Sequence, residues 1–590
     1  MKKLIIGIGV VAIVAGVALF TLKNDSPKEG QSLLKKSVTL IENSNNDNGG
    51  RLEKLLAYVP SNTTYLFGNK NAVPEDYIDK QLDKMTALIE IIKDIASEEK
   101  MDKDTSEGIS FISNYYKHFI KLYKDNNLKE MGYEKGQRAV IYGYNLYPVL
   151  RAELVDSKAF INTINHIAKE SNSSVEWKSC GKFQCLQTED SKSGLAFVVK
   201  EKSMALSFFP KEAKDEMVKH LTDATPVKDA YSIEKFDKLL TKNNFKGFGD
   251  GFIDLEALTN RLVTTIKKDI PQSKRASFDS CSPIAQNIAK KVNKISFGTT
   301  QLSTESMRML MIFDMDKNLT TSLQSITNKN LFTQRVANPL LDLGLNLNAQ
   351  GLSTAITELA NYIATQGEKY GCKDIDPQAL RQGSAMASMS IGMSLGQISE
   401  LYLSVNDLEM DKKGMPSKIG ANAEISAPNP ASLIGMLQMF SPQLAKVNIP
   451  NTGEEVDLLN ALPKPTPPFI TELKASMKDK VISLRLGEKP KMEQFKPKEH
   501  TILWAKINNK KYYELISKVL KENKNMEIPA GVPTEEKAEY DAMVKKLTKN
   551  NEKVEKLMQV LYDSDISSEQ SIYVSDRGLV IDFSQKSQGK

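Results

Sequence analysis

The chain has 590 residues, 26% of them charged and 41% apolar, and carries a formal charge of +6. That length has room for two to four domains, and the composition is that of a globular chain rather than a disordered or collagen-like one. Lysine far outnumbers arginine and no basic block is interleaved with aromatics, which argues against a nucleic-acid partner.

The first element is an uncharged apolar run from Leu4 to Leu22, preceded by Lys2 and Lys3 and closed by Lys23. At about 1.5 Å of rise per residue it makes a helix of roughly 29 Å, close to the roughly 30 Å hydrocarbon core of a bilayer. The expectation is one N-terminal transmembrane helix, an uncleaved signal anchor over 1–23. Its lysines stay on the cytoplasmic side and the bulk of the chain is exported. Cleavage at Gly16-Val17-Ala18, giving a secreted periplasmic protein, is the alternative. Residues 24–50, polar and with an Asn/Gly cluster at 44–50, read as a stalk.

Helical periodicity then runs over about 76–130, with "DKQLDKMTALIEIIKDIA" as its clearest piece. Beyond it one plan recurs: a short strand, a polar or Pro breaker, an amphipathic helix. It appears at 147–169, 247–263, 340–363, 418–440 and 500–523. Without a gap, Val149, Leu150 and Ala152 fall on Ile502, Leu503 and Ala505, and Phe160 falls on Tyr513. Alternating hairpin patterns lie between these segments, as in "GLAFVVKEKSMALSFF" and "SIYVSDRGLVIDF". The expected class is α+β: repeated modules of antiparallel sheet with helices packed on one face. Expected boundaries are 51–245 for a first module with a helical start, 246–415 for a second, 416–490 for a smaller third and 491–590 for a C-terminal one. Pro-rich breaks at 462–469 and 487–500 precede the last.

The cysteines are Cys180, Cys185, Cys281 and Cys372. An even, sparse set in an exported chain reads as disulfides. Gly181 lies between Cys180 and Cys185 in a hairpin pattern, so these face each other across a tight turn, leaving Cys281 for Cys372. In the chain-entropy view the two bridges contribute about 2 and about 4–5 kcal/mol. Zinc fits poorly, since there is no second close pair and no nearby His.

Catalytic signatures are sparse. "GMSLG" (392–396) matches the G-x-S-x-G nucleophile elbow around Ser394, with Asp457 and His500 following in hydrolase order. The surroundings lack a clear strand before and helix after, and His500 precedes a predicted strand rather than following one. His118 and His166 lie apart on predicted helices and His220 near a helix end, as ordinary surface or boundary residues. "GFGDG" (247–251) lacks the lysine of a phosphate loop. No catalytic residue, metal site or cofactor is expected. Methionines cluster twice: Met307, Met309 and Met311 share one face of a strand, and Met386, Met389 and Met393 recur at helical spacing. Such groups line an adaptable cavity for a hydrophobic ligand, or bind Cu(I), or simply fill an irregular core.

"LLAYVPSNTTYLFGNK" resembles the opening of uncharacterised bacterial envelope proteins whose exported part begins Y-V-P-x-[DN]-T-x-Y, matched here by Tyr58, Val59, Pro60, Asn62, Thr63 and Tyr65. The resemblance implies a Gram-negative periplasmic setting and carries over no functional residue. The combined expectation is a non-catalytic, membrane-anchored periplasmic protein, held in the inner membrane by its first helix, that binds an envelope partner in assembly or maintenance. The alternatives are a hydrophobic-ligand or lipid carrier or sensor with a Met-lined cavity, and a serine hydrolase using Ser394.

Overall fold

The computed structural model describes residues 45–98, 103–172, 175–189, 193–223, 225–328, 332–411, 415–440, 443–462, 465–523 and 566–587, with parts of 548–559. The apolar run 4–22 and the polar segment up to 44 lie outside them. Among the described residues no helix is long and apolar enough to cross a membrane. The fold is α+β with antiparallel strand pairing, and the chain divides into two compact units. The first comprises 1–269 with 293–311, and the second 270–292 with 312–590.

The first unit opens with α1 (Asn45–Leu56), which starts inside the Asn/Gly cluster, followed by β1 (Tyr65–Asn69). A helical hairpin comes next, α2 (Glu75–Glu98) and α3 (Lys103–Lys124), then β2 (Ala139–Tyr144), β3 (Tyr147–Glu153) and α4 (Ser157–Glu170). The meander β4 (Lys178–Cys180), β5 (Phe183–Glu189), β6 (Ser193–Lys200) and β7 (Ser203–Pro210) leads to α5 (Lys214–Thr222) and α6 (Ile233–Asn243). The unit ends with β8 (Phe248–Asp254), α7 (Leu255–Asp269), β9 (Val292–Leu302) and β10 (Ser306–Met315), the last as far as Met311. Local chemistry sets the boundaries. Asp156 caps α4 by accepting from Lys158 N (2.8 Å) and Ala159 N (3.0 Å), while Asn244 closes α6 at φ +55°.

Outward from β1, the strand neighbours are β2, β3, β7, β6, β5 and β4 on one side and β8, β9 and β10 on the other. Ile141, Leu150, Leu206 and Phe197 stand in one register row. They belong to a core completed by Phe111, Tyr115 and Phe119 of α3 and by Phe160 and Ile164 of α4. The reverse face, with Val140, Val149, Ala205 and Val198, is also buried; α1 packs on β2 and β3, and α5 on β6 and β7. Helices therefore cover both faces here, not the single face expected. Runs such as "AVIY" and "LAFVV" are apolar at both parities, the pattern of a strand buried on two sides.

The second unit has α8 (Gln272–Lys291), α9 (Lys317–Ser325), β11 (Gln334–Val336) and β12 (Leu341–Asn346), then a helical hairpin of α10 (Ala349–Tyr370) and α11 (Pro377–Leu395). β13 (Glu400–Met410), β14 (Pro416–Ser426), α12 (Pro430–Phe440), β15 (Val456–Asp457), β16 (Leu473–Lys478), β17 (Val481–Leu486) and β18 (Met492–Gln494) follow. Last come β19 (Thr501–Asn508), α13 (Asn509–Asn523), β20 (Ile566–Ser575) and β21 (Gly578–Ser587). Outward from β12 the neighbours are β13, β14, β17, β16 and β15 on one side and β19, β20 and β21 on the other.

But for the outermost β4, that is the neighbour order of the first unit, and several helices agree: a hairpin after β1 or β12, one helix after β3 or β14, and another after β8 or β19, whereas α5 and α6 have no counterpart between β17 and β19. The topology equates 147–169 with 418–440 and 247–263 with 500–523. It does not equate 147–169 with 500–523, the ungapped sequence match. A strand followed by an amphipathic helix is too degenerate a pattern to set that register alone.

Candidate binding site

Cys180 is bonded to Cys185 and Cys281 to Cys372, with Cα separations of 5.9 and 4.8 Å, and no described cysteine is free. Two disulfides indicate an oxidising, extracytoplasmic compartment. The first bridge closes the β4–β5 hairpin, where Gly181 supplies φ +65°. The second ties α8 to the turn between α10 and α11, just past Gly371 at φ +64°.

α10 and α11 pack along each other, with Thr357 Oγ1 and Ser388 Oγ 3.0 Å apart and Arg381 forked onto Glu368 at 2.7 and 2.9 Å. A shallow 610 Å³ trough between them is lined by Ile356, Ala360, Ile363, Leu380 and Gly383 among others. Met386, Met389 and Met393 do not line it. They stand on the outer side of α11, 66%, 66% and 67% exposed. In the other unit Met307 is half-buried with its Sδ 3.5 Å from Tyr77 Oη, and Met309 is exposed. The two methionine groups belong to different units.

The G-x-S-x-G segment forms the last turn of α11 and runs out of the helix at Gly396; no strand leads into it, so it lacks the strand-to-helix bend of an elbow. Asp457 is paired with Lys474 Nζ (3.1 Å) and accepts from Leu459 N. His500, at φ +53°, has Nδ1 3.0 Å from Thr327 Oγ1. His166 meets Glu170 at 3.2 Å, and its ring centroid lies 6.0 Å from that of His118.

His220 is different. It is buried, its Nε2 lies 2.7 Å from Tyr142 Oη, and its ring stacks on Tyr144. Arg151 donates from Nε to Tyr142 Oη (3.0 Å) and from Nη2 to the His220 carbonyl (3.0 Å). The guanidinium also lies 4.3 Å over the Tyr58 ring. Burial, followed by the Arg151 and Lys200 charges, holds the His220 pKa down at about 3. The imidazole is thus neutral, and the Tyr142 hydroxyl donates to its bare Nε2. Burial, then Arg151, likewise holds Lys200 down at about 8. Arg151, Tyr142 and His220 use their polar atoms on one another on the inner side of α5, and Lys200 donates to the Asp223 carbonyl, which suits holding the fold together rather than meeting a substrate.

Two buried carboxyls behave similarly. Asp250 accepts from Gly247 N (2.6 Å) and Thr299 N (2.8 Å), and burial still pushes it up to about 6. Asp342 is pushed up to about 7 by burial, against the Tyr402 hydroxyl and the Arg335 and Lys506 charges that pull it down. It lies on the polar side of the second unit's sheet, where Tyr402 of β13 and Trp504 of β19 cluster with Phe332 and Val336.

The opposite side of that sheet is aliphatic. Leu343, Leu403, Ala423 and Leu484 stand in one row across four strands, and Leu341, Val405, Ala421, Leu486 and Leu473 in the next. A third row, with Ile425, Ile482 and Met477, lies under Leu433 of α12. The first two rows line a groove of 290 Å³ in which Ala421 and Ala423 stand between larger residues, with Leu341 and Leu403 41% and 40% exposed. In the first unit the hairpin α2–α3 helps to close the corresponding face; in the second, α10 packs on α8, α9 and α11 instead. Sequence reading misses this groove. The alternation of "LDLGLN" and "ANAEI" is visible, but alanines become the floor of a trough only when register sets them between leucines. No family model, curated protein or solved structure matches the chain.

Proposed function

We propose that this is a non-catalytic protein of the bacterial envelope, anchored in the inner membrane by the 4–22 helix. Its periplasmic body is two repeats of one α+β module and binds a protein partner in envelope assembly or maintenance. The observation that carries this reading is the outer side of α11. Met386, Met389 and Met393 present flexible, polarisable apolar side chains to solvent, the chemistry of adaptable docking surfaces. The disulfide-braced attachment of the hairpin to α8 supports a surface held ready for contact. A photo-crosslinking residue at Met389 should capture one reproducible envelope protein in cells. Substituting Met386, Met389 and Met393 together by Gln should cut that capture at least about tenfold. Captures that merely follow protein abundance would remove the reading. A second reading, a carrier or sensor of a hydrophobic ligand, draws on the aliphatic groove rather than the methionines.

A further inference from the structure

The geometry points to an acyl-chain site in the second unit: the groove over β12, β13, β14 and β17 takes the single hydrocarbon chain of a monoacyl lipid whose head group has no net charge. This rests on the hydrophobic-ligand reading and narrows it. The lining side chains on this side are Leu, Val and Ala, without an aromatic ring to stack on a planar ligand. Ser404, Asn422 and Arg485 alternate with them and belong to the opposite side of the sheet.

Size selects the occupant. A methylene fills about as much space as a water molecule, about 30 Å³, so the 290 Å³ groove holds roughly ten and leaves no room for a second chain. A stable protein partner needs about 800 Å² and some 20–30 residues on each side. Here most of the lining is half-buried, and Leu341 and Leu403 are its most exposed members. Charge selects the head group. Lys418, Lys474, Lys478 and Arg485 alternate with the groove-lining residues and so stand on the opposite side of the sheet. These strands therefore offer an anionic head no cation on the groove side to pair with.

The full chain, titrated with monolauroyl-phosphatidylethanolamine below its micelle point, should bind one molecule saturably. Dilauroyl-phosphatidylethanolamine and sodium laurate should bind at least about tenfold more weakly. Ala423→Phe, which fills the trough, should abolish binding. Leu403→Gln, at a side chain exposed enough to tolerate the change, should weaken it severalfold while the thermal unfolding curve stays in place. Pyrene separates the two levels of the argument. Saturable pyrene binding without monoacyl lipid binding overturns the acyl-chain site and leaves the ligand reading standing, whereas binding of neither ends both. Monoacyl lipid binding unchanged by both substitutions, or equal binding of the two-chain lipid, also overturns the proposal.

Discussion

Asp342 keeps its carboxyl where water is scarce, and the consequence is a pH-dependent stability of definite sign. The folded protein holds the proton up to about pH 7, whereas the unfolded chain releases it near pH 4. Between those limits the folded state binds more protons, so the stability contributed by this group is full below pH 4. It declines as pH rises to about 7 and is flat beyond. Asp342→Asn should abolish that decline and raise stability at pH 8 relative to pH 4, by at most about 4 kcal/mol; urea unfolding midpoints at the two pH values measure it. His220 works in the other direction. Its folded pKa of about 3 lies below the unfolded value, so its contribution is full above about pH 6.5 and falls as pH drops towards 3. Tyr142→Phe leaves His220 Nε2 and Arg151 Nε short of a partner and should cost about 1–3 kcal/mol. Little of this was legible beforehand: His220 reads as a boundary residue and Arg151 as one letter of "VLRAE", because pairing across 69 residues leaves no local pattern.

At the level of elements, close fits decide what each segment tolerates. Gly344 is the position where the Trp504 indole crosses β12; a Cβ there meets Nε1 and Cε2 of the ring. Trp504 is held from the other side by Phe495, with ring centroids 4.5 Å apart, and by Tyr402 at 5.7 Å. Gly344→Ala should therefore displace the indole and destabilise by about 1–3 kcal/mol, read as a shift in tryptophan fluorescence together with a lower unfolding midpoint. The Cys281–Cys372 bridge spans 91 residues and fastens α8 to the end of α10. Replacing both cysteines by Ala should cost about 2–5 kcal/mol, and more than replacing Cys180 and Cys185, which lie five residues apart; differential scanning calorimetry ranks the two. Here the sequence said more. An even cysteine set behind an apolar leader marks disulfide chemistry, and the helices over 76–130 show in their periodicity. Helices on both faces of the first sheet depart from the one-sided expectation because its strands are apolar at both parities.

On the scale of the whole molecule, the chain does not finish one unit before starting the next. Residues 270–292 belong to the second unit and 293–311 return to the first. β9 pairs with β8, and its Thr299 N donates to the buried Asp250. A fragment covering 45–269 lacks that strand and that donor and should melt well below one covering 45–311, as circular dichroism on heating would show. Equal melting temperatures would mean that β9 adds little to the first sheet. The strand order that the two units largely share explains why the ungapped match of 147–169 with 500–523 misleads. The unit of recurrence was recognisable as strand, breaker and helix, while the partners in the duplication were set by strand neighbours far apart in the chain.

The sequence by itself determined the α+β class, the antiparallel hairpins and the disulfide chemistry, because each depends on composition or on contacts a few residues long. Tertiary structure alone decided that the methionines of α11 face solvent, that His220 is buried on the inner side of α5, and that an aliphatic trough opens over Ala421 and Ala423. Those outcomes depend on which strands become neighbours and where a helical hairpin comes to rest. Side-chain periodicity fixes that two faces exist, but not which of them is covered.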